Sequence, residues 1–448
     1  MKQSSGILKS LLERFFQNLE ASSIEYCVIG NYQLLPDHTD NDVDFWVADT
    51  SKSLELLLQC AQQVGLNLYM QNKTAVGSNN YFYASNGKEF EIIKIDLMSE
   101  TAYKSLVPIV PSEQIKNNRV KYNDFFVANE NIESVMHLLY PLVTFGVVKE
   151  KYKAKIQSFA SSEKFNKTVC EIVGSTVGKP LLENAKNGDW AQIENNSAKV
   201  KRALFMKMLV QINLERVFVF IKFVESIVLR TVRKNGIVIG FTGIDGAGKS
   251  TIKEHIVENS DRFFAKNRRR EYYWRPFLLP KISKTIGVKG QSEKYDDSGR
   301  RVITPSFFNG VKNLVKYIYY LVDFVFGQMK YFICSHTGGV VVFDRYHFDN
   351  IIYPERFGFS LNKPLMRFFD KYVVPQPDIL FYFTAESNVL YNRKKELDLN
   401  EIESQKQIYK DEMSIRKDIV QINTDGTLEE SLHDVLLRCF ELMHKRLS

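Results

Sequence analysis

The sequence predicts an α/β protein in successive parts: an α+β module at the N-terminal end, a helical connector, and a C-terminal parallel sheet flanked by helices. Three observations carry this. The chain has 448 residues, room for two or three domains. After Gly236, short apolar strands alternate with helical patterns, which is the sequence form of a parallel sheet covered by helices. Between about Glu130 and Arg230 the periodicity is mainly helical, separating two strand-rich regions.

Composition narrows the class. Hydrophobic residues make up 44% and charged residues 25%, which excludes a disordered, collagen-like or coiled-coil chain. The formal net charge is +8, a mild excess that suits a partner carrying phosphate: nucleotide, nucleic acid or anionic lipid headgroup. Five scattered cysteines (Cys27, Cys60, Cys170, Cys334, Cys439) form no C-x-x-C pair and read as reduced thiols of a cytoplasmic protein. The first twenty residues form an amphipathic helix pattern carrying Glu13 and Glu20, a poor signal peptide.

Taken in order, Ile24–Gly30, Val43–Val47, Asn67–Met70, Tyr81–Ala84 and Phe90–Leu97 read as strands, with a helix over Ser51–Val64. The basic TVRKNG ends in Gly236 and reads as a boundary. Domains are therefore expected at 1–125, 126–232 (the helical connector) and 233–448. Strands follow at Ile237–Phe241, Tyr272–Trp274, Val340–Phe343, Ile379–Phe383 and Ile419–Ile422. Charge interrupts Phe205–Arg230 and Asn313–Phe332, so no run of about 18 uncharged apolar residues is left to span a membrane. Asn313–Phe332 is aromatic and basic enough for a membrane surface; a buried helix is the preferred reading.

The strongest local signal is IVIGFTGIDGAGKST. An apolar strand enters Gly243-Ile244-Asp245-Gly246-Ala247-Gly248-Lys249-Ser250, with Thr251 opening a helix pattern. Glycines permit the turn and let backbone N–H groups approach phosphate oxygens. The helix N-terminus adds its dipole. Lys249 is expected to face the surface, unpaired until phosphate arrives, and the Ser250 hydroxyl to ligate Mg²⁺. GGVVVFDRYHFD places Asp344 at a strand end, where it would accept a Mg²⁺-bound water, and Arg345 next to it as a two-pronged phosphate ligand. Arg393, Lys394 and Lys395 lie in a charged stretch that would serve as a basic lid. His38 and His347 read as structural.

GIDGAGKST, DRY, VPQPDILFYFTAE, the R-K-K segment and INTDGTLEESLHDVL together resemble thymidylate kinase and related nucleoside-monophosphate kinases, over about Ile237–Leu447. The resemblance implies a P-loop kinase fold with a five-stranded parallel sheet, and ATP and Mg²⁺ as cofactors. It also implies that Asp245 lies toward the acceptor, Arg275 of YYWRP binds the acceptor phosphate, and Arg345 bridges donor and acceptor. The chain departs from that pattern by a 230-residue N-terminal extension and a basic excursion, Arg262–Arg301, with 12 Lys/Arg against 4 Asp/Glu.

In the N-terminal part, Gly30-Asn31 closes a strand and Asp42-Val43-Asp44 opens the next; alternation puts Asp42 and Asp44 on one face. Asp96 ends the strand EFEIIKID. Three converging carboxylates suit a two-metal transfer site. With the Gly turn, this resembles polymerase-β-like nucleotidyltransferases over about Ile24–Leu97, with Asn31 where that family has Ser. Lys94, two residues before Asp96, would be the group to neutralise the acids from within.

These observations predict an ATP-dependent kinase acting on a small phosphate- or hydroxyl-bearing acceptor, fused to a nucleotidyltransferase-like module. Oligomer formation is compatible with it. Three other readings stay open: a nucleotidyltransferase, an ATP-hydrolysing effector, and a nucleic-acid end kinase using the basic excursion. The acceptor is not legible.

Overall fold

The computed structural model describes residues 6–39, 42–210, 213–280, 307–357, 361–395 and 397–447. The part of the basic excursion from residue 281 onward lies outside them. The chain divides into two compact units, Met1–Ala84 with Glu91–Val232, and Ser85–Phe90 with Arg233–Arg446.

Strands of the first part are β1 (Tyr26–Ile29), β2 (Val43–Val47), β3 (Asn67–Thr74), β4 (Gly77–Ser85), β5 (Phe90–Met98), β6 (Thr101–Tyr103), β7 (Val107–Val110), β8 (Arg119–Tyr122) and β9 (Phe125–Ala128). Among the described residues seven form one sheet, in the order β3-β4-β5-β2-β1-β9-β8. β1 runs antiparallel to β2 and parallel to β9, and β2 runs parallel to β5.

Side-chain alternation divides this sheet's cover. Tyr26, Val28, Val43, Phe45 and Val47 cluster with Leu11, Leu12 and Phe15 of the helix Gly6–Ala21 and Leu57 of the helix Thr50–Gln63. The carboxylate of Asp49 caps the second helix by accepting from the Ser51 and Lys52 amides. Cys27 and Trp46 face the other way, toward Ile132, Leu138, Leu139 and Leu142 of the helix Glu130–Phe145. The helices expected to act as a connector therefore supply the sheet's second face.

β6 to β9 were not marked by periodicity. Their turns use unusual residues: Lys104 and Ser105 hold φ of 50° and 58° between β6 and β7, and Asn123 holds 51° between β8 and β9. Consecutive left-handed residues are what a tight hairpin requires, but Lys-Ser carries no Gly or Pro signal.

The second unit contains β10 (Ile237–Gly243), β11 (Arg269–Tyr273), β12 (Val340–Asp344), β13 (Ile379–Thr384) and β14 (Ile419–Asn423). They form the expected parallel sheet, in the order β11-β12-β10-β13-β14. β10 is buried along its whole length, as befits the central strand of a sheet covered on both faces. β11 begins three residues earlier than expected, because an exposed edge strand tolerates Arg269-Arg270 and shows no apolar run. The helix Phe307–Gly327 is half of what was expected: Tyr317, Leu321, Asp323 and Phe324 are buried, while Val315, Ile318 and Phe326 are exposed.

Candidate phosphate-binding site

Parallel register brings the carboxyl ends of β10 and β12 together: Phe241 pairs with Asp344, and the chain turns into the Gly243–Ser250 loop two residues later. That end of a parallel sheet is where open α/β folds bind ligands. A cavity of about 530 Å³ opens there, lined among others by Asp245, Gly246, Gly248, Lys249, Ser250, Thr251, Asp344, Arg345, Arg356, Arg393 and Lys394.

The loop's glycines have different tasks. A Cβ on Gly243 would fall 2.3 Å from the Phe383 carbonyl oxygen, so this residue is required by packing against β13. Gly248 has φ of 78°, and a Cβ there would meet nothing within 4 Å; its left-handed backbone turns the chain into the helix Lys249–Glu258. Gly243 and Ala247, both expected to contact cofactor, are buried and off the cavity wall; they shape the loop from behind. Tyr409 also braces it, its hydroxyl accepting from the Gly243 amide at 3.1 Å and lying 3.1 Å from Thr242 Oγ1.

Lys249 corrects the expectation of a surface-directed, unpaired charge. It is 6% exposed, and its Nζ donates to the carbonyls of Gly243 (2.9 Å) and Ile244 (2.7 Å), with Asp245 at 3.8 Å. Burial and the neighbouring Arg345 push its ammonium down to about 8, against the acids Asp245, Asp349 and Asp344. Its ligands are the loop's own carbonyls because a buried ammonium must be solvated by something.

Arg345 holds φ of 70°, a conformation a non-glycine residue adopts only where surroundings impose it. They do: its guanidinium donates to Asp349 Oδ1 at 2.8 Å and to Asp245, while Arg356 reaches the other Asp245 oxygen at 3.1 Å. Burial would raise the Asp245 carboxyl, but Arg345, Lys249 and Arg356 outweigh it and hold it below its usual value. Arg356, in the turn Pro354–Phe357, escaped the sequence reading because one Arg in a short turn has neither periodicity nor motif.

Asp344 faces Ser250, with Oδ2 3.5 Å from the hydroxyl and 3.7 Å from Lys253 Nζ. One hydroxyl and one carboxylate are the hard oxygen donors Mg²⁺ takes from protein when phosphates and water complete its shell, so these residues fit that ion. Arg393 lines the cavity, but it is tied to Thr424, donating to its carbonyl at 2.7 Å, and so serves as wall instead of a detached lid base.

Arg275 is not brought to this cavity. It is 1% exposed, ion-paired with the buried Asp323 and donating to the Leu279 carbonyl at 2.9 Å, with Phe277 and Tyr320 rings 4.3 and 4.8 Å away. The expected acceptor ligand is thus paired with Asp323 of the helix Phe307–Gly327. His347 is structural, as read: it bridges Tyr317 (2.9 Å) and Asp370 (2.7 Å).

In the first unit, Asp44 and Asp96 are direct register partners on parallel strands. Burial, with Asp96 and Asp42, pushes the Asp44 carboxyl well above its usual range. Burial and Asp42 push Asp96 up to about 7, against Asn79 and Lys94. Among the described residues, no group of three or more His, Cys, Asp or Glu side chains gathers closely enough to hold a metal ion. The expected Asp42–Asp44–Asp96 triad is corrected on this point. Asp42 precedes β2, is exposed, and lies 3.9 Å from Lys94.

No family model and no curated protein sequence matches the chain. Among solved structures it is similar to the thymidylate kinase of Ehrlichia chaffeensis, with 15% identity and a TM-score of 0.28 over 45% of this chain and 97% of that one. It is also similar to the thymidylate kinase of Candida albicans, with 17% identity and a TM-score of 0.32 over 47% of this chain and 93% of that one. Among the described residues no helix is long and apolar enough to cross a membrane.

Proposed function

We propose that this protein is an ATP-dependent phosphotransferase acting on a small acceptor that carries a phosphate or hydroxyl group. The observation that carries the proposal is the convergence of Lys249, Ser250, Asp344 and Arg345 on one cavity at the carboxyl end of a parallel sheet. The loop amides and the helix N-terminus hold the phosphates of the donor. Lys249 leaves the Gly243 and Ile244 carbonyls for the β- and γ-phosphate oxygens, exchanging weak acceptors for anionic ones. Ser250 and Asp344 would hold Mg²⁺, which supplies charge neutralisation on the phosphate oxygens. Asp245 keeps Arg345 and Arg356 aligned at the mouth of the loop, where their guanidinium groups neutralise the transferring phosphoryl group.

The test is product analysis with isotopically labelled ATP across a panel of nucleoside monophosphates, nucleosides and phosphosugars. A phosphorylated acceptor is expected, with Lys249→Ala abolishing it in a folded protein. Label appearing only as free phosphate would point to an ATP-driven effector and overturn the kinase reading.

A second reading belongs to the first unit: nucleotidyl transfer, for which the Asp44–Asp96 register is the supporting observation. Its mark would be pyrophosphate release that survives Lys249→Ala and is lost in Asp44→Asn with Asp96→Asn.

A further inference from the structure

The edge strand β11 and the turn before it carry a density of charge that the phosphate site does not use. From Asp261 to Glu271 there are five Lys/Arg (262, 266, 268, 269, 270) against two acids. All five basic residues are exposed. Among the described residues no carboxylate is ion-paired with any of them. The two acids are engaged elsewhere. Asp261 accepts from the Asn267 amide at 2.8 Å, and Glu271 lies 3.7 Å from Lys253 Nζ.

The guanidinium groups are tethered only through neutral oxygens. Arg262 donates to the Phe90 carbonyl at 3.2 Å and Arg270 to the Arg269 carbonyl at 3.1 Å. Arg269 reaches Ser260 Oγ at 3.4 Å, which sets the helix Ser260–Phe263 beside the strand on this surface. Their positive charge therefore stays uncompensated. Charge on an edge strand deters pairing with another sheet, a task for which Lys serves. Four of the five here are Arg, whose planar fork of donors matches phosphate oxygens.

The patch also has a direction. β11 is the outermost strand of its sheet, paired with β12 on one side. It runs from Arg269 to Tyr273, a span of about 13 Å. Tyr273 is 49% exposed and stands on the wall of the phosphate cavity. Between Arg262 and Tyr273 no aliphatic side chain is exposed, and Phe263 and Phe264 are buried. A bilayer would find nothing there to take into its acyl boundary. A single nucleic-acid strand finds cations along its phosphates and an exposed ring on which an unpaired base stacks.

We propose that the edge from Arg262 to Tyr273 binds single-stranded nucleic acid. Arg268, Arg269 and Arg270 take its phosphates, Arg262 and Lys266 extend the cationic track, and Tyr273 stacks one base. This surface is independent of the phosphotransferase reading, which concerns the cavity alone.

The test is fluorescence anisotropy of a labelled oligothymidylate titrated with the full chain at several salt concentrations. Binding is expected, and it should weaken steeply as salt is raised. Arg268→Gln with Arg269→Gln and Arg270→Gln should lower the slope of log K against log salt by about two, each lost contact to a single strand being worth about 0.7. Tyr273→Ala should weaken binding about fivefold or more and leave that slope unchanged. Circular dichroism on each variant establishes that it is folded. Affinity unchanged by the triple variant overturns the proposal, as does a Tyr273→Ala chain that binds the strand as the parent does. So does tighter binding to the duplex formed with the complementary strand, or binding to phosphatidylserine vesicles by a chain that ignores the oligonucleotide.

Discussion

Lys249 holds its position through the Gly243 and Ile244 carbonyls, and with a pKa near 8 it is partly neutral at mildly alkaline pH. A bound triphosphate requires the charged form. Its folded, unliganded pKa lies below the ordinary lysine value, so binding above pH 8 must take up a proton. Nucleotide affinity should therefore fall as pH rises through 8, by up to about tenfold per pH unit. Calorimetry at pH 8 in buffers of different ionisation enthalpy should report uptake of about half a proton, and none in Lys249→Met. Arg275 yields a different kind of prediction. Removing one partner of a buried pair leaves the other charge uncompensated, so Arg275→Ala should destabilise the protein by roughly 3–5 kcal/mol in denaturant titration. Arg275→Met with Asp323→Leu should recover most of that loss. A folded, equally stable Arg275→Ala enzyme with only a raised acceptor KM would return Arg275 to the acceptor site.

At the scale of the element, the loop after β10 is set by its neighbours as much as by its motif. Gly243→Ala would drive a methyl group into the Phe383 carbonyl, and the backbone of β13 cannot yield without breaking its pairing with β10 and β14. Gly248→Ala meets open space and carries only the left-handed backbone cost, about 1–2 kcal/mol. Thermal denaturation should show the first variant severely destabilised and the second folded. Nucleotide titration of Gly248→Ala should show weakened binding, since its φ of 78° starts the helix whose amides would meet the phosphates in the proposed function. Motif spacing alone ranks these two glycines equally. Strand packing separates them.

For the whole molecule, each unit has its own sheet, and the candidate phosphate site lies entirely within the second. A non-hydrolysable ATP analogue with Mg²⁺ should slow hydrogen exchange in β10 and in the helix Lys249–Glu258. The stabilisation expected at a hundredfold excess over Kd is about 2.7 kcal/mol. The seven-stranded sheet should exchange at its unliganded rate, and Lys249→Ala should abolish the protection. Protection of equal size around Asp44 and Asp96 would reveal nucleotide bound in the first unit instead.

Short-range chemistry writes three features into contiguous residues: the strand–loop–helix around Lys249, Asp344 at the end of a buried strand, and the alternation from Ile237 to Ile422 that makes a parallel sheet. Each of these rests on contiguous residues, where periodicity and turn chemistry are read directly. Which charges meet depends on packing between distant segments. Arg275 and Arg345 both follow a strand, yet packing of the helix Phe307–Gly327 buries one against Asp323, while β12 delivers the other to Asp245. Arg356 reaches the same carboxylate from a turn 111 residues away. Asp44 and Asp96 become neighbours only through the register of β2 on β5. Such encounters depend on how strands and helices are ordered in space, and no window of the sequence contains that order.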